Sequence, residues 1–158
     1  EGPGFYEDRE GRPFVGSSGK FFEELLLSIG LNRKDVYITN MVKCRPPNNR
    51  DPMSAEIQAC DSYLERQIQL IQPKVIVTLG RYSLARFFPG ETVTRARGKP
   101  RKKDGMVIYP MLHPAAALYR QNLRQVIEGD IKAIPDLLQK TDASKESSQP
   151  PGQQLSMF

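Results

Sequence analysis

The chain predicts an α/β fold, a three-layer α/β/α sandwich around a doubly wound, mainly parallel central sheet. Residues 75–79 and 106–112 are apolar runs, which are typical of strands covered on both faces. Segments with helical spacing of apolar residues alternate with such runs, and this alternation favours parallel strands joined by helices. The length of 158 residues and the hydrophobic share of 39% suit one globular domain, which we place at residues 1–140.

Three segments are predicted as strands. Residues 36–39 are β-branched and aromatic, as strand residues often are. The two apolar runs, 75–79 and 106–112, are the others. Pro110 removes a backbone donor from the last run, which favours an edge position in the sheet for that strand.

The helices are predicted from apolar residues at helical spacing. Ser17 or Ser18 caps the first helix and Gly30 ends it, whereas Pro73 ends the longest one. The predicted helices cover residues 17–29, 54–71 and 80–88, with two more from about 115 and 123 that fill the chain to 138.

The remaining segments are predicted to be loops or disordered. Residues 1–19 are rich in glycine and proline, and no strand leads into them, so we expect further residues upstream. Residues 44–52 and 95–103 are predicted loops, and the second is strongly basic. Residues 141–153 are polar, so the tail from 141 to 158 is predicted to be disordered.

The formal net charge of +5 favours an anionic partner such as nucleic acid. No run approaches the ~20 apolar residues that a membrane span needs, and no signal peptide is visible. We therefore expect a cytoplasmic monomer with no membrane partner.

Candidate functional residues follow two of the predicted strands. His113, the only histidine, comes after the third strand, and Pro114 biases it toward an extended backbone. Asn40 comes after the first strand, and Gly2 and Gly4 let the opening loop approach a ligand closely. Ligands of open α/β sheets bind beyond the carboxyl ends of the strands, so we expect a site here. A surface or capping role is the alternative for His113, and a turn role for Asn40.

The opening loop contains further candidates. Phe14 offers an aromatic face on which a planar base can stack, unless it packs in the core. Glu7 and Asp8 are suited to position a water molecule, although acidic pairs in loops are more often simply solvated.

Four motifs occur in order along the chain: EGPGFYED with GRPFVG, ITNMVKCRPP, a pair of cysteines separated by fifteen residues, and LHPAAAL. Together they resemble the family 4 uracil-DNA glycosylases, the iron–sulfur class of that superfamily, over nearly all of residues 1–138. The resemblance implies a hydrolase of base excision repair that flips uracil out of DNA and cleaves its N-glycosidic bond, leaving an abasic site.

The resemblance also implies roles for the candidate residues. Phe14 would stack on the flipped base and Asn40 would read its polar edge. His113 would donate a hydrogen bond to uracil O2 as negative charge builds on the departing base. Glu1 and Glu7 match acidic positions near the attacking water.

Two glycines depart from better-known relatives in the superfamily. Gly2 stands where those relatives carry a catalytic Asp, and Gly4 replaces a bulky Tyr that shields them from thymine. We therefore expect a mainly dissociative cleavage, with Gly2 and Gly4 beside the uracil.

Cys44 and Cys60 have two interpretations. On residue type alone, two inert buried thiols are common in an intracellular protein. The resemblance instead implies two of the four thiolate ligands of a [4Fe-4S] cluster, with the other two in a Cys-x2-Cys pair upstream of Glu1.

Basic residues predict contacts with DNA. The run from Arg95 to Lys103 is suited to neutralise phosphates, unless it is a solvated loop. The first turn of the helix at Ser17 is suited to bind a phosphate through backbone N–H groups. The residues after the His113 loop, 118–120, stand where related enzymes push a side chain into the gap left by the flipped base. The predicted DNA-binding residues are Ser17, Lys20, Arg97, Lys99, Arg101 and Arg120.

The last five residues, QLSMF, end a polar tail with apolar side chains. They resemble the docking motif for the bacterial sliding clamp, so we predict clamp binding by Gln154, Leu155, Met157 and Phe158 and a location at the bacterial nucleoid. Two alternatives to the repair enzyme stay open: a catalytically inactive, clamp-docked DNA-binding module of a replication protein, and a glycosylase for another deaminated base.

Overall fold

The computed structural model describes residues 1–146, and in them the predicted α/β class is confirmed. Helices pack on a small mixed sheet. The helices are α1 (Phe5–Glu10), α2 (Ser17–Ser28), α3 (Ser54–Ile71), α4 (Arg81–Phe87), α5 (Val93–Ala96), α6 (Ala116–Tyr119), α7 (Asn122–Ile131) and α8 (Ile134–Glu146). The strands are β1 (Val75–Leu79), β2 (Arg101–Lys103) and β3 (Met106–Met111), in the order β1-β3-β2.

The sheet has one parallel and one antiparallel pair. β1 runs parallel to β3 with Val75 opposite Val107, and β2 runs antiparallel to β3 with Arg101 opposite Ile108. Side chains alternate between the two faces of a strand. Tyr109 and Met111 join the main core with α2, α7 and α8. Ile108, which is fully buried, therefore points to the opposite face, so both faces of the sheet are covered. Besides the helices of the main core, α4 contacts β1 and α5 contacts β3.

The central position of β3 corrects the prediction that Pro110 marks an edge strand. β2 ends opposite Ile108, so the ladder on that side needs no N–H from residue 110. The carbonyl of Pro110 accepts a hydrogen bond from the N–H of Gly98 instead. Proline is tolerated in this central strand because its neighbour is short.

Residues 36–39 do not form a strand, contrary to prediction. Their sequence has the composition of a strand, but composition alone does not supply a neighbour to complete a ladder. Val36 has an extended backbone (φ −128°, ψ 147°), and the chain continues without regular structure to Asn40.

The predicted loop at 95–103 was also wrong in part, since it contains the end of α5 and all of β2. β2 and β3 form a hairpin whose two turn residues, Asp104 and Gly105, have φ values of 49° and 76°. Asp-Gly between strands is the sequence signal for this turn.

Three further features of the helices were not predicted. The opening loop contains α1, which ends at Gly11 in the left-handed conformation (φ 64°). Gly16, which has no side chain with which to cap the helix, occupies the N-cap of α2 that was predicted for a serine. α8 continues to Glu146, into the segment that was predicted to be disordered from 141. Within the part of the chain that the structure covers, no helix has the length and apolar character to cross a membrane.

Candidate active site

His113 follows the carboxyl end of β3 and has one face against an aromatic ring. The Phe14 ring is stacked on the imidazole, with centroids 5.4 Å apart and an interplanar angle of 16°. Phe14 also stacks on Phe22 of α2, at 4.6 Å. Two of the predicted site residues, 99 positions apart in the sequence, are thus neighbours.

The proton of a neutral His113 is placed by the backbone. The N–H of Ala115 donates to Nδ1 of His113 at 3.1 Å, so Nδ1 must be unprotonated. The neutral ring therefore carries its proton on Nε2. Burial lowers the pKa of His113 from 6.5 to about 4, so the imidazole is neutral at physiological pH and Nε2 is a hydrogen-bond donor.

The Phe14 backbone has an unusual conformation. Its φ is 55°, in the left-handed region that most residues avoid. Arg33 holds this turn by donating from Nη1 to the carbonyl of Phe14 at 3.0 Å and from Nη2 to the carbonyl of Pro13. Gly19 is packed so closely that a Cβ there would lie 2.1 Å from the Phe14 carbonyl oxygen. Neither Arg33 nor Gly19 belongs to a sequence pattern from which its contact with the Phe14 turn could have been predicted.

Glu7 stabilises the loop that carries Phe14 through hydrogen bonds to its backbone. Its Oε1 accepts hydrogen bonds from the N–H groups of Val15 (3.0 Å) and Gly16 (3.1 Å), at the beginning of α2. Partial burial acts to raise the pKa of Glu7, but the backbone N–H of Glu7 itself, followed by those of Gly16, Val15 and Gly4, outweighs it, and the pKa lies below its usual value. A carboxylate held in this way is a weak base.

Glu1 and His113 both lie near Gly80, on the side to which a Cβ would point. A Cβ on Gly80 would be 3.4 Å from Cβ of His113 and 3.9 Å from Oε1 of Glu1. The carbonyl of Glu1 accepts a hydrogen bond from the N–H of Val42 at 3.1 Å. The opening residue therefore joins the His113 end of the sheet to the segment that follows Asn40.

Asn40 lines a cleft of about 200 Å³ together with Glu7, Pro13 and Lys43. Lys43 donates from Nζ to the carbonyl of Asn40 at 2.8 Å. The cleft thus lies between the Asn40 segment and the loop that carries Phe14. Sequence reasoning missed Lys43, because a lysine within a basic motif gives no sign of its partners.

The two glycines of the opening loop are in close contact with their surroundings. A Cβ on Gly2 would lie 2.6 Å from Cγ2 of Val42, so an aspartate at this position would require a shift of the backbone or of Val42. A Cβ on Gly4 would meet Oε2 of Glu7 at 2.6 Å, which is the movable end of a side chain.

Cys60 contacts the residue that precedes Cys44 in the chain. Sγ of Cys60 lies 3.3 Å from the backbone nitrogen of Lys43, which donates to it, and Cys44 is next in the chain and exposed. Backbone N–H groups that donate to sulfur favour thiolate ligands. The two thiols suit half of a four-cysteine site. No set of three or more metal-binding side chains occurs among the described residues.

The predicted DNA-binding residues divide into two groups. Arg97 forms a bidentate ion pair with Asp130 (2.8 and 2.7 Å), and Arg101 forms one with Glu91 (2.6 and 2.8 Å). These guanidinium groups have intramolecular partners. The remaining four have exposed side chains: Ser17, Lys20, Lys99 and Arg120. The clamp-binding residues Gln154, Leu155, Met157 and Phe158 lie outside the described residues.

Residues 1–133 match the family model described as the uracil DNA glycosylase superfamily. The chain is 52% identical over 147 residues to the type-4 uracil-DNA glycosylase of Sulfurisphaera tokodaii, covering 87% of this chain and 67% of the relative. It is 47% identical to the type-4 enzyme of Archaeoglobus fulgidus, covering 89% and 75%. It is also 31% identical to a DNA polymerase of Bacillus phage SP01, of which it covers only 15%, with 88% of this chain.

Proposed function

Because the chain belongs to the uracil DNA glycosylase superfamily, with type-4 enzymes among its relatives, we propose that it excises uracil from DNA in base excision repair. The reaction breaks the bond between C1′ of the deoxyribose and N1 of uracil; water supplies a hydroxyl group to C1′ and a proton to the released uracil, which leaves an abasic site. A base in a duplex must first leave the stack, because the reacting bond is otherwise inaccessible.

The observation that carries this proposal is the tautomer of His113. As the glycosidic bond breaks, negative charge develops on uracil O2, and the Nε2–H of a neutral imidazole is a donor suited to that oxygen. Phe14 provides the stacking face, and the Asn40 side chain reads the polar edge of the base.

We propose that water attacks late, after most of the bond has broken. Glu7 has its Oε1 engaged by two backbone N–H groups and a lowered pKa, so it is poorly suited to take a proton from water. Its negative charge instead stabilises the cationic sugar of a dissociative transition state. Glu1, whose Oε1 lies near Gly80 on the same side as His113, is the second carboxylate available for orienting water.

The direct test is cleavage of an oligonucleotide that contains one uracil, with alkali used to reveal abasic sites. We expect strand scission only with uracil, and a large loss with His113→Ala. If base release occurs only from another deaminated base in a substrate panel, the enzyme class is right and the substrate is wrong.

The similarity to part of a phage DNA polymerase supports a second candidate, a DNA-binding module without catalysis. It predicts salt-dependent DNA binding by the wild type with no release of uracil. This candidate would be favoured if neither the wild type nor His113→Ala released uracil.

We also propose that Cys44 and Cys60 supply two thiolates to a [4Fe-4S] cluster. The hydrogen bond from Lys43 N–H to Sγ of Cys60 supports this assignment. Such a cluster supplies a structural cross-link between α3 and the loop at 44–52. Iron and sulfide analysis with a visible spectrum of the full-length protein tests it, and a colourless, iron-free protein would refute it.

DNA contacts are proposed for the exposed residues Ser17, Lys20, Lys99 and Arg120. Tyr119, 88% exposed at the end of α6, and Leu118, 51% exposed, are the candidates to fill the gap left by the flipped base. Each residue would be replaced with alanine and the variant assayed on duplex and single-stranded substrates. Because a gap exists only in the duplex, the residue that fills it is the one whose replacement lowers activity on the duplex alone.

The C-terminal QLSMF sequence is proposed to bind a bacterial sliding clamp. Deletion of residues 154–158 should abolish clamp binding and leave cleavage of free oligonucleotides unchanged. Unchanged clamp affinity after the deletion would end this proposal. A monomeric state and a cytoplasmic, nucleoid-associated location remain predictions.

A further inference from the structure

Lys43 has a half-buried side chain at the centre of a polar network beside the cleft. Its Nζ donates to Oγ1 of Thr39 at 2.7 Å, to the carbonyl of Asn40 at 2.8 Å and to Oε1 of Gln67 at 2.9 Å. Oγ1 of Thr39 in turn donates to Oε1 of Gln67 at 3.0 Å. Gln67 lies on α3, so the network joins the Asn40 segment to the longest helix.

These contacts use all of the donors of the ammonium group. A lysine has three N–H donors and no acceptor, and three acceptors surround Nζ. The ammonium group therefore has no donor left for a substrate. None of these three partners is a carboxylate, so the charge of the half-buried ammonium group is compensated by three oxygen dipoles.

The Asn40 segment needs such support because it has no ladder. Residues 37–40 lie outside regular secondary structure, whereas His113 follows a strand whose backbone is paired with β1. An amide that reads a base must be held within a fraction of an ångström of its productive position. The Nζ–carbonyl bond fixes the backbone at the residue whose side chain does the reading.

We propose that Lys43 is a positioning residue for substrate recognition: by holding the Asn40 carbonyl and Thr39 against α3, it sets the direction in which the Asn40 amide meets the flipped base. The inference rests on the proposed function, since it assigns the way in which that site is kept in shape. The same residue bonds Cys60 through its backbone N–H, so the loop with the cysteines and the base-reading segment share one anchor.

The first test replaces Lys43 with methionine, which keeps the aliphatic length and removes every donor. We expect kcat/KM on a uracil oligonucleotide to fall by about 10- to 100-fold, the cost of a misplaced recognition group. Lys74→Met is the matched control, because Lys74 forms an exposed ion pair with Asp142. The control should keep wild-type kcat/KM.

A double-mutant cycle with Asn40→Ala separates positioning from general damage. If Lys43 acts through the Asn40 amide, Lys43→Met should change kcat/KM by no more than about 2-fold in the Asn40→Ala background. A full additional loss in that background would overturn the inference. An inactive wild type would instead overturn the proposed function, so the two failures are distinguishable.

Gln67→Leu provides a second test of the network in case Lys43→Met does not fold. It removes the acceptor shared by Lys43 and Thr39 from a helix residue that does not line the cleft. We expect a smaller loss in the same direction, again absent in the Asn40→Ala background. Wild-type kcat/KM in a folded Gln67→Leu, together with wild-type kcat/KM in Lys43→Met, would show that the network does not position Asn40.

Discussion

The two residues proposed to contact uracil are supported in different ways. His113 is placed by backbone structure: it follows a central strand, and the next turn supplies the hydrogen bond to Nδ1. Asn40 is placed by side chains, since its segment has no ladder and is anchored by Lys43. Backbone support depends on the pairing of main-chain groups, so most side-chain substitutions leave it intact. Side-chain support depends on individual residues, so single substitutions should disturb the Asn40 region more easily.

The largest expected effect is that of removing the His113 donor. His113→Ala should lower kcat by about 10²- to 10³-fold, the usual cost of losing one donor to developing negative charge. Single-turnover release of uracil measures it, with the affinity for uracil-containing DNA followed in parallel. A loss confined to affinity would mean that His113 binds the base and does not stabilise the leaving group.

A second prediction concerns Gly19, where a Cβ would meet the backbone of Phe14. Gly19→Ala should lower the free energy of unfolding by about 1–3 kcal/mol and reduce uracil excision, because the clash moves the stacking ring. Gly129→Ala is the matched control: nothing lies within 4 Å of that position in α7, and alanine there should stabilise by about 0.5–1 kcal/mol. Denaturant unfolding compares the two, and equal stability would mean that the Phe14 turn yields easily.

The third prediction separates structural from DNA-binding cations. Arg97→Ala leaves the buried Asp130 carboxylate without its partner and should cost about 1–3 kcal/mol of stability, with the salt dependence of DNA binding unchanged. Lys99→Ala should leave stability unchanged and reduce the salt slope by about 1. A reduced slope for Arg97→Ala would show that this ion pair opens on DNA.

The smallest expected effect is that of acid on His113. With a pKa of about 4, the imidazole stays neutral as the pH falls below neutrality. On the acidic side of the pH profile, kcat should therefore remain level until the pH approaches about 4. A fall centred near 6.5 would indicate an ordinary, solvated imidazole.

Stability should respond over a different range. Between pH 6.5 and about 4 the unfolded chain binds a proton at His113 that the folded protein does not. The contribution of the neutral imidazole is therefore complete above pH 6.5 and is lost as the pH falls toward 4. Unfolding curves of wild type and His113→Gln at several pH values would isolate it.

How far the sequence predicted the structure follows the same division between backbone and side-chain support. β1, α3 and the neighbourhood of His113 and Phe14 were predictable, since apolar runs, helical spacing and a family motif each leave a pattern. The segment at 36–39 has strand composition but is not paired, because a ladder requires a neighbour that propensity does not supply. The network of Lys43 with Gln67 joins residues 24 positions apart and has no periodic signature. The hairpin of β2 and β3 could have been predicted from Asp104 and Gly105.

The hydrogen bond from Ala115 N–H to His113 has an evolutionary consequence. Many enzymes orient a histidine with an acidic side chain, and that acidic residue must then be retained together with the histidine. Here the orienting group is a main-chain amide, which nineteen of the twenty amino acids provide. Drift at position 115 should therefore be free as far as tautomer control is concerned, with proline as the single forbidden replacement.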